Sequence, residues 1–342
     1  MKDIAAWARA LPQDAIQRLG GRWRKGRYAM PAANTYGYAL EHADLGKLNA
    51  ALRSWMQANG ITWEGDIIAV DGKALIGTGG RTSQSRHTAS AFSVARRAVI
   101  ALEGHDGDER KAVTACLRQL DLKGCTITGD ALQTTAKFAG EEIVKKRATY
   151  VLRIKANQPK LLNAAKQLDW SSAAAAEVAT TDHRHGRHEQ RWIRRIDLNT
   201  VAGAQIRKDF PGATQIVRIE TKRRDGDKAP RSWAYFISSL APDQADAQRL
   251  GVIIRSHWLI ETGSHYIRDV VYGEDRCRCR TGHLPEILAI ARSVGITWAA
   301  HHRLTHATVH RTLVHDLRAV SNLLGIWIAP GPAPRGARKA AA

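Results

Sequence analysis

The chain has 342 residues, 52 Lys+Arg against 32 Asp+Glu, a formal charge of +20 and 44% apolar residues. That composition excludes a disordered or collagen-like chain, and the length exceeds what a single core usually serves, so two or three structural units are expected. No stretch approaches the roughly 20 uncharged apolar residues of a membrane span, no signal-like apolar run opens the chain, and four cysteines are too few for a disulfide scaffold. A cytoplasmic protein without a membrane partner is the expectation.

Residues 1–62 read as a helical N-terminal region, with apolar spacing at Ile4–Trp7 and again over Leu45–Met56, separated by a polar stretch at 20–34. From residue 66 the pattern changes. Asp66–Gly72 is a short apolar run closed by Asp-Gly, a buried strand and turn. Ala89–Glu103 suits two strands joined at Arg96-Arg97, Asp108–Leu120 has helical spacing, and Gly124–Gly129 is a strand ending at Asp130. Gln133–Arg147 reads as a helix with i,i+4 charge pairs, Tyr150–Ile154 as a strand, and Pro159–Leu168 as a helix opened by proline. This alternation predicts an α/β fold, a mixed sheet flanked by helices, with its first part at 63–174.

Residues 175–240 break the rhythm: strands at Gln190–Leu198, Thr214–Thr221 and Ser232–Ser238 predict a β-rich insertion. Helical spacing returns over 241–328, which completes the core, and 329–342 is a Pro/Gly-rich basic tail expected to be disordered. The basic charge is not confined to that tail. It recurs at 22–27, 81–86, 145–147, 184–195, 222–231 and 276–280. With a pI near 10.2, this favours a nucleic-acid partner over a merely well-solvated surface.

Three acidic residues stand out. Asp71 and Asp130 each end a strand, where open α/β sheets place their ligands; each alone also fits an ordinary turn residue. On a continuous α-helix, Glu261 shares one polar stripe with His257, His265 and Arg268, which equally fits a solvated face. Brought together, three carboxylates repel one another and suit hard divalent cations such as Mg²⁺. Two such ions can serve a phosphoryl displacement while surrounding basic residues hold a nucleic-acid backbone.

These residues lie in segments that resemble the ISAs1 family of insertion-sequence transposases, grouped with DDE transposases and related to the IS4-type group. The resemblance runs through Ile68–Leu75, Leu122–Ala131, Tyr150–Pro159, His185–Arg191, His257–Glu261, Asp269–Arg276 and Gly282–Ala289. It implies a ribonuclease-H-like core, with Asp71, Asp130 and Glu261 as catalytic and metal-binding residues. It further implies two Mg²⁺ ions (Mn²⁺ as an alternative), cleavage at transposon ends and strand transfer into target DNA by a homodimer in a synaptic complex. Candidate DNA contacts are Lys73, Lys155, Asn157, His257, His265 and Arg268, although basic side chains at strand ends are as often simply solvated. The chain departs from the family at Ile76 and Thr262, and in the Tyr-x2-Arg-x3-Glu-x6-Lys signature, which reads Ile254, His257, Glu261, Arg268. Family members also carry further residues before the segment resembling Ile4–Arg9. A catalytically inactive DNA-binding remnant and a metal-dependent nuclease without strand transfer are the alternatives.

Cys277-Arg-Cys279 lacks the spacing of a structural zinc site, so ordinary thiols are expected. His301, His302, His306, His310 and His315 suit an exposed helix better than a metal site. Trp23, Trp63, Trp192 and Trp258 can stack on unpaired bases, with core or interface packing the commoner use of each.

Overall fold

The computed structural model describes residues 1–309 except 81–83, 106, 172–175, 185–186, 201 and 225–229. The basic tail, His310 and His315 lie outside the described residues. The N-terminal region contains α1 (Lys2–Ala10), α2 (Gln13–Arg18), β1 (Arg22–Arg24), β2 (Arg27–Ala29), α3 (Ala33–Glu41) and α4 (Leu45–Ala58). The polar stretch between the helices is thus a small hairpin. Lys25 and Gly26 both take positive φ (48° and 77°) at its two-residue turn, the backbone that matches strand twist in a tight hairpin. The Asp44 side chain accepts the Lys47 amide to start α4, and the buried Asn49 of that helix donates to the Leu102 carbonyl at 2.9 Å. Leu45, Leu48 and Leu52 pack with Phe92, Leu102, Ala289 and Ile290, so α4 belongs to the main core.

The core then runs β3 (Ile67–Leu75), β4 (Arg86–Ser93), β5 (Ala98–His105), α5 (Glu109–Arg118), β6 (Thr126–Gly129), β7 (Thr149–Ile154) and α6 (Pro159–Gln167). It continues through β8 (Ala176–Arg184), β9 (Arg187–Asp197), α7 (Ala204–Asp209), β10 (Gln215–Arg224), β11 (Arg231–Ser238), α8 (Ala247–Ser256) and α9 (Leu284–His301). Arg97, at φ 52°, turns the chain between β4 and β5. Among the described residues the large sheet has nine strands, ordered β5-β4-β3-β6-β7-β11-β10-β9-β8. Strands β3, β4 and β5 form an antiparallel meander, and β6 and β7 run parallel to β3. This mixed sheet, flanked by helices and preceded by a helical region, is a ribonuclease-H-like α/β fold.

The expected insertion joins the same sheet. β11 pairs antiparallel with β7, and Ile196, Leu198, Ile206, Phe210 and Ile216 share one hydrophobic cluster with Ile127, Tyr150 and Leu152. Strand β8 and helix α7 have no counterpart in the periodicity of the sequence. The helix expected over Gln133–Arg147 is wound irregularly: a wide π-type turn spans Phe138–Ile143 and a tight 3₁₀ turn Val144–Lys146. The charge pairs foreseen there do form, with Lys145 and Glu141 at 2.7 Å. No helix among the described residues is long and apolar enough to cross a membrane.

Candidate active site

Two adjacent parallel strands bring the aspartates together. The register of β3 on β6 ends with Val70 opposite Gly129, so Asp71 and Asp130 are the next residues on neighbouring strands, where strand spacing is ~4.8 Å. Asp71 stays in β3 because its other edge is still paired, opposite Ser90 of β4, whereas β6 stops and Asp130 turns out to cap the following turn through the Leu132 amide. One Asp71 oxygen accepts the Gly72 amide at 2.9 Å; the other lies 3.7 Å from His265 Nδ1. Burial pushes the Asp71 carboxyl up to about 7 against the pull of that amide, helped by the Glu109, Asp130 and Glu261 carboxylates. Burial likewise pushes His265 down to about 3, with Arg268 and Lys73 adding repulsion. A neutral imidazole therefore faces Asp71.

Glu261 follows α8 on an irregular stretch. Two π-type turns, Glu261–His265 and Ile267–Val271, replace the α-helix that the stripe argument requires. The wider winding of a π turn keeps His265 near Asp71 but carries Arg268 away from the Glu261 face. Glu261 is exposed, and its carboxylate accepts the indole N–H of Trp258. Glu261, Trp258, His257 and Asp130 line a groove of about 480 Å³ together with Arg153, Lys155 and Arg191. His257 holds Thr128 Oγ1 at 3.2 Å, and burial lowers its pKa.

The candidate DNA contacts separate into two sets. Lys155 is half-exposed, 3.5 Å from Asp130, and His257 borders the groove. Asn157, although exposed, uses its amide on the Ala131 carbonyl at 2.6 Å. Lys73 and Arg268 form the second set: both are buried. Lys73 Nζ lies 2.8 Å from Asp269 and 3.5 Å from Asp275. Arg268 is 0% exposed, contacts Glu274 at 2.8 and 3.0 Å and donates to Thr88 Oγ1 at 3.3 Å. Drawing Arg268 out to a phosphate would break both of its contacts to Glu274 and leave that buried carboxylate with only the longer approaches of Arg292 and Lys73 at 3.6 and 3.8 Å. Neither side chain is exposed at the surface in this structure.

Glu109, in the first turn of α5, is a carboxylate that sequence reasoning missed. It receives the Gln133 amide at 3.0 Å and packs against Gly72, where an added Cβ would fall 2.3 Å from its carboxyl carbon. A Glu beside the helix-capping Asp108 reads in sequence only as a favourable N-terminal charge. Arg153, Arg191 and the Trp258–Glu261 contact also escaped notice. Of the four tryptophans singled out, Trp63 is buried, Trp192 is half-buried, and Trp23 and Trp258 are exposed. The four cysteines are free thiols. Among the described residues, no group of three or more His, Cys, Asp and Glu side chains is placed to hold a metal ion as it stands.

The ribonuclease-H-like sheet thus sets two aspartates on neighbouring strands and is followed by a glutamate on a later, irregular segment. Residues 62–294 match the family model described as "Transposase DDE domain", and the chain belongs to that family. It is 30% identical over 271 residues to "Putative transposase YncI" of Escherichia coli O157:H7, covering 76% of this chain and 68% of that protein. Over 298 residues it is 26% identical to "Putative protein YbfL" and 25% identical to "H repeat-associated putative transposase YhhI", both of E. coli strain K12, covering 83% of this chain and 77% of each. A cryo-EM structure of the piggyBac transposase synaptic complex with hairpin DNA aligns at 12% identity and TM-score 0.39, over 80% of this chain and 60% of that one. That likeness is too distant to bear on function.

Proposed function

We propose that this protein is a transposase of ISAs1 type that cleaves transposon ends and transfers the freed strand into target DNA. Its catalytic and metal-binding residues are Asp71, Asp130 and Glu261, and it works as a homodimer on two ends, in the cytoplasm. The observation that carries this reading is the meeting of Asp71 and Asp130 at one sheet end, with Glu261 close enough to help raise the Asp71 carboxyl. An all-carboxylate donor set crowded with like charge has the chemistry of a hard divalent-cation site. Magnesium bound there supplies Lewis acidity toward a phosphodiester and an activated oxygen nucleophile.

The protein's own side chains do the rest. Asp71, fixed by its strand and the Gly72 amide, gives the rigid ligand. Asp130, half-exposed beside Lys155, adjusts as the phosphate arrives. Lys155, Arg153 and Arg191 along the groove neutralise and orient the DNA backbone. His257, held by Thr128, and neutral His265 crowd the site without adding cationic charge that would compete with the metal.

Incubation with Mg²⁺ and DNA carrying the terminal inverted repeats of its element should give nicked ends and joined products. Asp71→Ala, Asp130→Ala and Glu261→Ala should each lose cleavage by at least about 10³-fold while keeping end-DNA affinity within a few fold. Nicks without joining indicate a nuclease; retained binding without any cleavage by the unmodified chain indicates an inactive remnant. Normal cutting by one of the variants removes that residue from the centre.

A further inference from the structure

The segment that carries Glu261 and His265 has little regular helix to hold it. Its two π-type turns span Glu261–Val271 with a short 3₁₀ turn at Glu274–Arg276 behind them. Side chains in these turns make a buried ionic network. Arg268 joins Glu274 by two contacts and reaches Thr88 on β4. Lys73 of β3, two residues beyond Asp71, reaches Asp269, Asp275 and Glu274. Arg292 of α9 closes on Glu274 at 3.6 Å. The network thus touches the Asp71 strand at one end and the Glu261 segment at the other. His265, one π-type turn before Asp269, is the point where that segment meets Asp71.

We propose that Arg268 and Glu274 are positioning residues: their buried pair, continued through Lys73 and Asp269, fastens the segment bearing Glu261 and His265 to the strand bearing Asp71. Three features favour fastening over plain stabilisation. These charges lie where the segment bearing His265 meets β3 and β4. Opposite charges fix a geometry that an apolar contact of the same size leaves free to slide. The segment they hold is wound in the i→i+5 manner that often marks functional turns. The catalytic consequence rests on the reading of Asp71, Asp130 and Glu261 given above; the fastening itself does not.

The test uses the full chain with Glu274→Gln, Arg268→Lys and the neutral double variant Arg268→Gln/Glu274→Gln, which removes both charges together and so leaves neither partner of the pair as a lone buried ion. Hydrogen exchange should rise by about tenfold or more over residues 257–276 and the end of β3, with the remaining sheet unchanged. Affinity for end DNA and its salt slope should match the unmodified chain, while the single-turnover cleavage rate at saturating DNA falls by about tenfold or more, with Arg268→Lys recovering part of it. A direct phosphate contact by Arg268 predicts instead weaker binding and a salt slope reduced by about one, and that result overturns the proposal. Exchange that rises throughout the molecule, or stays unchanged over 257–276, also overturns it. Should the unmodified chain fail to cleave, the functional reading falls, and the exchange pattern still decides the fastening.

Discussion

Asp71 is held in a place that disfavours its charge, and this has a measurable sign. Its folded carboxyl titrates near 7, far above an unfolded aspartic acid at about 3.9. Between those values the folded state binds more protons than the unfolded one, so this group's stabilising contribution is complete below about pH 4 and is lost as pH rises to about 7. Asp71→Asn removes the titration. Without metal, the melting temperature of the variant minus that of the unmodified chain should be near zero at pH 4 and reach at least about 3 °C by pH 8; a difference flat with pH would falsify the burial argument. Added Mg²⁺ should raise the melting temperature of the unmodified chain at pH 8 and leave Asp71→Asn nearly unmoved. The two aspartates were legible as acidic residues closing short apolar runs; Gly129-Asp130 does mark a strand end, whereas β3 continues past Asp71-Gly72 to Leu75 on its pairing with β4. What makes them neighbours, the Val70–Gly129 register, is a long-range pairing that no local window contains. Glu109 was illegible for a related reason: its approach depends on the missing side chain of Gly72, 37 residues earlier in the chain but adjacent to it in the fold.

Elements show the same division. Helical spacing announced α4 and α5, an opening proline announced α6, and short apolar runs announced β3 through β7, because each signal is local. The Glu261 segment misled because α and π winding use the same residues, so residue spacing alone does not select the wider turn. The closeness of this segment to β3 sets a prediction at Gly77, in the 3₁₀ turn Ile76–Thr78 that follows β3. A Cβ there would lie 2.0 Å from the Cys277 carbonyl oxygen and 2.9 Å from that of Asp275. Both obstacles are backbone atoms and cannot rotate away. Gly77→Ala should therefore cost about 1–3 kcal/mol, read as a lower urea midpoint with an unchanged slope. Gly72→Ala meets only the movable end of Glu109 and should cost much less. Equal midpoints for the two variants would show that the junction between β3 and the 275–277 turn is loose.

At the scale of the whole molecule, the sheet and the charge make separate predictions. The net +20 is distributed along the chain, so DNA affinity should drop steeply with salt, by about 10³–10⁵ between 50 and 200 mM if six to ten phosphates are neutralised; a shallow dependence would confine binding to the few cations of the groove. The sheet bears on cooperativity. Residues 175–240 read in sequence as a β-rich insertion; their strands continue the hydrogen-bonded ladder beyond β7, and α8 packs across Val151, Ile193, Val217 and Ile219. The second part of the core thus rests directly on the extension. With one shared sheet and one shared hydrophobic cluster, neither portion can melt and leave the other's apolar face covered. Calorimetry should accordingly show the extension and the core unfolding in one transition, with calorimetric and van't Hoff enthalpies in agreement. Excising residues 172–240 with a short linker should leave β7 as an unpaired edge and yield aggregated rather than soluble protein. A soluble, cooperatively folded excision variant would establish that the five-strand core stands without the extension, and that Glu261 is carried by the core alone.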